Sequence, residues 1–334
     1  MTFVASPKSF AVGLFAGLAS ALLVLSPVGG STLAVPLTML VELPLVIAAL
    51  GWGTSVAVLS VLVATGTLLA ISPTLALYFA VFLAPPAVIA CHLIGLSRVV
   101  VGPADAAQTS ATGPIVEWYP FGRALVVLAL LVVAGGVVVS LVEGFDPSAF
   151  TAEETRTFAR AYAEAMVEVD PTADVNQLTD LLQPTLALVL RILPFAFTAT
   201  WTLIGALNLG LGLWITAKSG NLIRPREDLA AFELPRSVTP VLIAAGLASL
   251  AGGPFGAIAA AIAGAAAALL LIAGLAVLHT ITRPLSFRLP LLVLTYLFLG
   301  LWSLPLLVVG ILEPYLVLRK RRPSPGEVRP PPQP

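Results

Sequence analysis

Side chains able to carry out covalent chemistry are scarce in this sequence. It contains one cysteine, Cys91, and two histidines, His92 and His279, so the chain alone cannot build a disulfide framework or a zinc site made only of cysteine and histidine. None of its lysines follows the glycine pattern of a phosphate-binding loop, and the H-E-x-x-H and G-x-S-x-G motifs are absent. The sequence therefore predicts no enzyme, no metal and no cofactor. Each histidine is either a hydrogen-bonding group at a helix end or a ligand-binding residue.

Glu42 is the first candidate binding residue. It falls in the middle of the apolar segment 33–50, between Pro36 and Pro44. A carboxylate at that depth in a membrane costs several kcal/mol unless it is paired, protonated or hydrated. Prolines on both sides interrupt the helical hydrogen bonds, which membrane helices tolerate where they line a cavity. Glu42 is therefore either part of a substrate site or a protonated side chain bonded to a neighbouring helix.

Three further candidates lie on the segment 186–217. Arg191 is near the start of the segment and either pairs with Glu42 or extends to the membrane surface. Asn208 lies deeper, where its amide either bonds another helix or binds a ligand. Trp201 is either a packing residue or part of the same site. The predicted substrate-binding set is Glu42, Arg191, Trp201 and Asn208.

The composition identifies the kind of protein that positions these residues. Of 334 residues, 58% are hydrophobic and 10% are charged, against about 25% charged residues in soluble proteins. A helix crosses the bilayer hydrocarbon in about 20 residues, and runs that are apolar on every face exclude a membrane barrel. We therefore predict an all-α polytopic membrane bundle, a single domain over residues 1–322. Its nine hydrophobic segments are 10–28, 33–50, 54–71, 74–96, 123–142, 186–217, 238–251, 255–280 and 289–312.

The connections between segments differ greatly in length. Residues 97–122 are predicted to be irregular, and the proline-rich tail 323–334 to be disordered. Residues 145–184 form a predicted extracytoplasmic insertion, with an amphipathic helix opening at Thr151 and a shorter helix at 175–182 leading back to the membrane. The apolar face of the first helix comprises Phe158, Tyr162, Ala165 and Val169.

The distribution of basic residues predicts orientation, because cytoplasmic loops near membrane spans carry excess Lys and Arg. Basic residues cluster in 218–236 and 319–322, whereas 145–184 is acidic. Placing both basic regions in the cytoplasm requires eight crossings, so the short segment 238–251 is predicted to be re-entrant or interfacial, and both termini are predicted to be cytoplasmic. Seventeen basic residues balance seventeen acidic ones, which gives no indication of a nucleic-acid partner.

Small residues recur on two segments at the four-residue spacing that lets helix backbones approach closely. We predict that these residues pack helices and do no chemistry. They are Gly13, Gly17, Gly256, Ala260, Gly264 and Ala268.

Several short motifs together resemble a known family. They are Tyr119-Pro120-Phe121-Gly122-Arg123, Arg224-Pro225, Leu234-Pro235, Gly274-Leu275-Ala276-Val277-Leu278-His279, Tyr296, Gly310 and the basic cluster 319–322. In this order they resemble the DUF2232 (YybS-like) bacterial membrane proteins, over most of the chain. That family is distantly similar to the S components of energy-coupling-factor vitamin transporters. The resemblance implies an inner-membrane protein with a helical substrate pocket, and an ATPase module with a membrane coupling subunit as partners.

Two hypotheses about function follow. The first is a substrate-binding subunit for small-molecule uptake, powered by a separate ATPase. The second is a non-transporting membrane scaffold or envelope-biogenesis protein. A cavity lined by Glu42, Trp201 and Asn208 favours the first hypothesis, and side chains that fill this space favour the second.

Overall fold

The computed structural model describes residues 6–29, 34–100, 115–144, 152–169, 174–225, 228 and 232–316. The basic cluster 319–322 and the tail 323–334 lie outside these residues. The helices are α1 (Pro7–Leu25), α2 (Ala34–Thr38), α3 (Leu43–Trp52), α4 (Thr54–Leu69), α5 (Pro73–Tyr78), α6 (Ala84–Ile94), α7 (Phe121–Glu143), α8 (Ala152–Val169), α9 (Val175–Lys218), α10 (Val238–Ala248), α11 (Gly253–Ile281), α12 (Arg288–Leu297) and α13 (Leu299–Leu316), and the strands are β1 (Ser97–Val100) and β2 (Ile115–Trp118).

The described chain is an all-α membrane bundle, as the composition predicts. Seven of its helical stretches are long and apolar enough to cross a membrane, counting α2 with α3, and α5 with α6, as one each. Three shorter apolar helices, at Thr54–Leu69, Val238–Ala251 and Arg288–Leu297, accompany them. Helices dominate because lipid offers no hydrogen-bonding groups, so each backbone N–H and C=O must be satisfied within its own segment.

Contacts between helix ends show which ends lie together. The Leu50 carbonyl, after which α3 ends, accepts a hydrogen bond from the backbone of Ile223 at 3.4 Å. The Ile94 carbonyl, at the end of α6, accepts one from Arg224 at 3.3 Å. Arg283, which follows α11, pairs with Asp228. The ends of α3, α6, α9 and α11 therefore meet at one end of the bundle, here called the arginine end. The opposite end, where α8 packs on the start of α9, is called the hairpin end.

Helix α1 runs parallel to α4, away from the arginine end. A Cβ added at Gly13 would meet Leu59, and one added at Gly17 would meet Val63 at 2.8 Å. From the first contact to the second, the position moves four residues forward in both helices, so the helices are parallel. Helix α4 follows α3 directly and therefore leads away from the arginine end. The described chain therefore begins at the arginine end.

Helix α13 runs antiparallel to α11 and finishes at the hairpin end. Gly274 of α11 lies against the Leu306 carbonyl, while Gly310 of α13 lies against the Leu270 carbonyl. Because α11 ends at the arginine end, Leu316 lies at the hairpin end. The described helices thus begin and finish at opposite ends of the bundle. This order of contacts disagrees with the predicted eight crossings that leave both termini on one side.

The short segment Val238–Ala251 accounts for the difference. It consists of α10, 11 residues long, and a 3-residue 3₁₀ turn, together about 21 Å in length. It is too short for the hydrocarbon thickness of about 30 Å, and residues 232–235 before it are not helical. The turn at Gly252 and Gly253 then leads into α11, whose 29 residues extend about 43 Å back to the arginine end. The start of α11 therefore lies toward the hairpin end, and Val238–Ala251 leads there from the arginine end, although it is shorter than the candidate membrane spans.

Helix α9 is longer than predicted and includes the segment expected to be a separate short helix at 175–182. It has 44 residues with Pro184 and Pro194 inside, about 66 Å in length, so it extends well beyond the hydrocarbon. Helix α8 packs antiparallel on this extension, with Arg156 pairing with Asp180 at 3.4 Å and Gln183 donating to the Ala152 carbonyl at 3.2 Å. Residues 145–151, including the predicted cap at Thr151, lie outside the described residues.

The aromatic face of α8 is not the face that packs. Ala159 and Ala163 are fully buried where α8 packs on α9, whereas Phe158 and Tyr162 are 55% and 59% exposed. Small side chains let α8 and α9 approach closely, and this leaves the predicted apolar face of α8 on the outside.

Two other segments differ from the sequence predictions. Residues 97–122, predicted to be irregular, contain an antiparallel pair in which Ser97 lies opposite Trp118. The segment 289–312, predicted to be one span, is split at Phe298 into α12 and α13. Of these two helices, only α13 is long enough to cross.

The predicted small-residue face of α11 packs on other helices of the same chain. Gly264 lies against the Phe195 carbonyl, and Thr198 Oγ1 donates to the Ala261 carbonyl at 2.6 Å. Gly256 faces the turn that ends α10. Ala260 is partly buried and Ala268 is buried.

Replacing Gly310 by Ala is expected to destabilise the bundle. A Cβ at this position would overlap the carbonyl of Leu270, and overpacking of this kind costs about 1–3 kcal/mol. The control is Gly246→Ala, because a Cβ at Gly246 meets nothing within 4 Å. The two variants are compared by thermal unfolding of the purified protein in detergent. Equal unfolding temperatures would contradict the close contact between α11 and α13.

Candidate functional site

The helix that carries Glu42 is interrupted in the middle of its span. Residues 39–42 form turns between α2 and α3, so Glu42 precedes the first residue of α3 instead of lying inside a helix. The backbone N–H of Leu43 donates to the Leu40 carbonyl at 3.0 Å, and the Met39 carbonyl therefore loses its usual partner. Asn208 of α9 replaces it, donating through Nδ2 to the Met39 carbonyl at 2.7 Å.

Glu42 points at α9 and is almost completely buried, with 2% of its surface exposed. Its Oε2 atom lies 3.3 Å from where a Cβ would stand on Gly205, so the glycine makes room for the carboxyl group. Oε2 has no hydrogen-bond partner among the described residues. The same holds, within that part of the chain, for Oδ1 of Asn208 and Oγ1 of Thr202. The structure thus places the carboxyl group of Glu42, just before α3, beside Gly205 of α9 deep inside the bundle.

Trp201 packs in an aromatic cluster. Its ring meets Phe82 edge-on at 5.3 Å, and Phe197 stacks on the same Phe82 at 5.1 Å. Phe82 belongs to a π-helical turn, Phe79–Leu83. Aromatic side chains therefore fill the space around Trp201, and the large cavity described below has none of Glu42, Trp201 and Asn208 in its lining.

The remaining sequence candidates lie apart from Glu42. Arg191 is exposed on α9, about 20 Å of helix rise from Gly205, so the suggested pairing of Arg191 with Glu42 is wrong. His92 bonds Thr54 through Nδ1 at 2.9 Å near the arginine end, and Cys91 is buried. Of the four predicted binding residues, the structure brings Glu42 and Asn208 together.

A cavity of about 920 Å³ lies between α7, α9, α11 and α12 at the arginine end. Its walls are mostly apolar. They include Phe121, Leu125, Leu207, Leu211, Trp214, Ile272, Leu275 and Phe232. The lining residues that belong to α9 face away from the side that carries Thr202, Gly205 and Asn208. Helix α9 therefore separates the cavity from Glu42.

Charged side chains gather on the cavity lining. Arg224, Arg283 and Arg288 line it together with Asp228, so basic groups outnumber acidic ones among the described lining residues. Arg283 pairs with Asp228, and both side chains remain about half exposed. Arg224 is buried and lies over the ring of Trp118 at 5.7 Å.

Arg288 lines the same cavity as Arg224 and Arg283. Its Nε atom is buried without a hydrogen-bond partner among the described residues. Beside it in the lining, His279 and Tyr296 share a hydrogen bond of 2.9 Å between Nε2 and the hydroxyl. The cavity therefore combines an apolar body with guanidinium and imidazole groups, an arrangement suited to an organic anion.

Sequence reasoning missed this site because its arginines come from three separate segments. The available signal was Arg283 and Arg288, two basic residues in an otherwise apolar region that the predicted eight crossings would place outside the cytoplasm. Three motifs on which the family resemblance rests, at Arg224, His279 and Tyr296, line the cavity.

Comparison with known families places the chain in one of them. The sequence profile described as "Predicted membrane protein (DUF2232)" matches residues 17–312. The protein belongs to the DUF2232 family of predicted membrane proteins. No curated protein and no solved structure shows significant similarity to it.

Proposed function

We propose that this DUF2232 protein binds an organic anion with an apolar body in the cavity at the arginine end. The observation that carries the proposal is the presence of three arginines on the lining of an otherwise apolar cavity of about 920 Å³. That volume lies in the range of small-molecule sites, roughly 300–1,000 Å³. None of the four residues predicted from the sequence lines this cavity.

The proposal rests on the cost of burying arginine. A guanidinium near lipid is costly unless an anion or carbonyl oxygens compensate it, and Arg288 Nε has no such partner among the described residues. A carboxylate or phosphate group would bond the guanidinium groups through charge-assisted hydrogen bonds. The apolar body of the ligand would then lie against Leu207, Leu211 and Ile272.

The ion pair between Arg283 and Asp228 is one that an incoming anion could replace. Because the pair is about half exposed, water screens it and it holds the side chains weakly. An incoming anion can therefore compete with Asp228 for Arg283. His279 and Tyr296 offer a further donor at the same edge of the cavity.

Photolabelling tests the cavity. The probes are a fatty acid, an alkyl phosphate and a fatty alcohol, each carrying a diazirine, added to the protein in phosphatidylcholine nanodiscs. One or both anionic probes should label peptides of α9 and α11 that line the cavity, and the alcohol should not. Arg288→Gln should lower saturable labelling about tenfold, since a hydrogen bond to a charged group contributes about 1.5–3 kcal/mol.

The control is Arg191→Gln, which removes an exposed arginine far from the cavity and should label like the unmodified protein. Labelling by the alcohol equal to that by the acid, or full labelling of Arg288→Gln, would refute the anion site.

The arginine end is proposed to face the cytoplasm of a bacterial inner membrane, and α8 the outside, following the excess of basic residues in 218–236. In a Cys91→Ser background, a cysteine at Ala161 should react with an impermeant maleimide in intact cells. A cysteine at Asn221 should react only after permeabilisation. Both native residues are exposed, so accessibility does not bias the comparison, and the reverse pattern would invert the orientation.

Uptake driven by a partner is the first extension of this proposal. The sequence has no phosphate-binding loop, so uphill movement of the bound anion would depend on a separate ATPase module and a membrane coupling subunit. The faces of Gly13, Gly17 and Gly264 are occupied by helices of this chain, so a coupling subunit would have to dock elsewhere.

A scaffold or envelope-biogenesis role is the second candidate, favoured by α8. Its outward face carries Phe158, Tyr162 and Met166, the last 43% exposed, beyond the membrane where a soluble partner could reach them. Purification from native membranes in mild detergent, followed by mass spectrometry, separates the two candidates. Recovery of an ATPase with a coupling subunit supports uptake. Recovery of envelope factors, lost in Phe158→Ser but retained in Arg191→Gln, supports the scaffold.

A further inference from the structure

We propose that the interrupted helix α2–α3 and the facing side of α9 form a binding site for a monovalent cation, with Na⁺ as the ion that fits best. The site comprises the carboxyl group of Glu42, the amide oxygen of Asn208 and the hydroxyl of Thr202. It is separate from the anion cavity and does not depend on the function proposed for that cavity.

The first argument is the set of buried polar atoms that lack partners. Glu42 is 2% exposed, and Thr202 and Asn208 are fully buried. Glu42 Oε2, Thr202 Oγ1 and Asn208 Oδ1 have no hydrogen-bond partner among the described residues. Leaving such groups unsatisfied in a bundle interior destabilises the fold, and more so for a charged group. A bound species that all three contact would remove this cost.

The second argument is placement. Thr202, Gly205 and Asn208 follow one another at three-residue intervals on α9, so Gly205 is a surface neighbour of each of the other two. Glu42 Oε2 approaches this side at Gly205, 3.3 Å from the position of an added Cβ. Thr202 and Asn208 stand about 4.5 Å of helix rise before and after that point. The carboxyl group therefore reaches α9 between the two other oxygen-bearing residues.

The third argument concerns the chemical nature of the unpaired atoms. Asn208 Nδ2 donates to the carbonyls of Met39 at 2.7 Å and Ile204 at 2.9 Å. An amide oxygen could not face two carbonyl oxygens, so the orientation of the amide is fixed. Oδ1 is consequently the end directed away from these bonds. A carboxylate, an amide oxygen and a hydroxyl are ligands for a hard cation.

The fourth argument is charge. Among the described residues, the titratable side chains that interact electrostatically with Glu42 are Tyr78 and Cys91, and neither is a cation. Arg191 lies about 20 Å away along α9. A divalent ion beside one carboxylate would leave a net positive charge in the bundle interior, which is costly, and Ca²⁺ takes six to eight oxygen ligands. A single positive charge balances Glu42, and interrupted membrane helices are a recurrent setting for Na⁺ sites.

The test uses the full chain, purified in neutral-lipid nanodiscs, and radioactive ²²Na⁺ as the probe. Binding is measured in choline chloride at constant ionic strength, and thermal unfolding is followed over the same Na⁺ range. We expect saturable binding at one site and an unfolding temperature that rises with Na⁺ and then levels off. Glu42→Gln should abolish both effects, because it keeps the shape of the side chain and removes its charge.

Thr202→Val should weaken Na⁺ affinity at least about tenfold, the equivalent of 1.4 kcal/mol, while preserving side-chain volume. The matched control is Thr216→Val, which removes a buried hydroxyl on the same helix that already donates to the Gly212 carbonyl at 2.6 Å. This control should bind Na⁺ like the unmodified protein. Absence of saturable ²²Na⁺ binding by the folded protein would overturn the site.

Two further outcomes would also overturn it: unchanged ²²Na⁺ binding by Glu42→Gln, or stability that responds to pH but not to Na⁺. The second result would mean that a proton, shared with Tyr78 or Cys91 or held by Glu42 alone, neutralises the carboxyl group. Failure of the photolabelling described above would leave this result unaffected, because the cavity lies on the other side of α9.

Discussion

The hydrogen bond from Asn208 to the Met39 carbonyl joins an interrupted helix to the longest helix of the bundle. A carbonyl that loses its helical partner inside a membrane must find another, because lipid provides none. The turn before α3 exposes such a carbonyl, and α9 supplies the donor. The bond fixes α3 against α9 at the depth where Glu42 approaches Gly205. It therefore sets the position of the most deeply buried carboxyl group described in the chain.

Helix α9 organises the rest of the structure through close contacts on several sides. Gly205 and Gly212 receive Glu42 and Val46 of the interrupted helix, and Phe195 lies against Gly264 of α11. Membrane helices lack a hydrophobic drive to associate, so such contacts contribute through dispersion and shape. The small residues consequently decide which helices become neighbours. Once α3, α7 and α11 are held by α9, the space left between α7, α9, α11 and α12 is the cavity.

The two polar regions of the bundle have opposite character. Within the described part of the chain, oxygen atoms around Glu42 lack hydrogen-bond donors on one side of α9, and Arg288 Nε lacks an acceptor on the other. An ion pair between Glu42 and one of these arginines would satisfy both groups, but α9 and its apolar side chains lie between them. Each region instead fits a small partner of opposite charge. Because Ile204 lines the cavity and its carbonyl also accepts from Asn208, the same turn of α9 borders both regions.

The sequence by itself determined the all-α membrane class and most of the span positions. The segment predicted at 123–142, for example, corresponds to Phe121–Glu143. These features follow from local composition, since a bilayer requires about 20 apolar residues in a helix whatever their neighbours are. The sequence also indicated that Glu42 and Asn208 lie deep in the membrane, because each sits within an apolar run.

Only the tertiary structure decided which of those residues meet. Arg224, Arg283 and Arg288 converge because α11 returns to the end of the bundle where α9 finishes, and that return depends on how Val238–Ala251 is connected. The face of α8 that packs carries Ala159 and Ala163, not the aromatic residues, because close approach to α9 favours small side chains. Arg191 and Glu42 stay apart because they lie at different heights along α9. Each outcome depends on contacts between distant segments, which no local pattern of hydrophobicity or charge specifies.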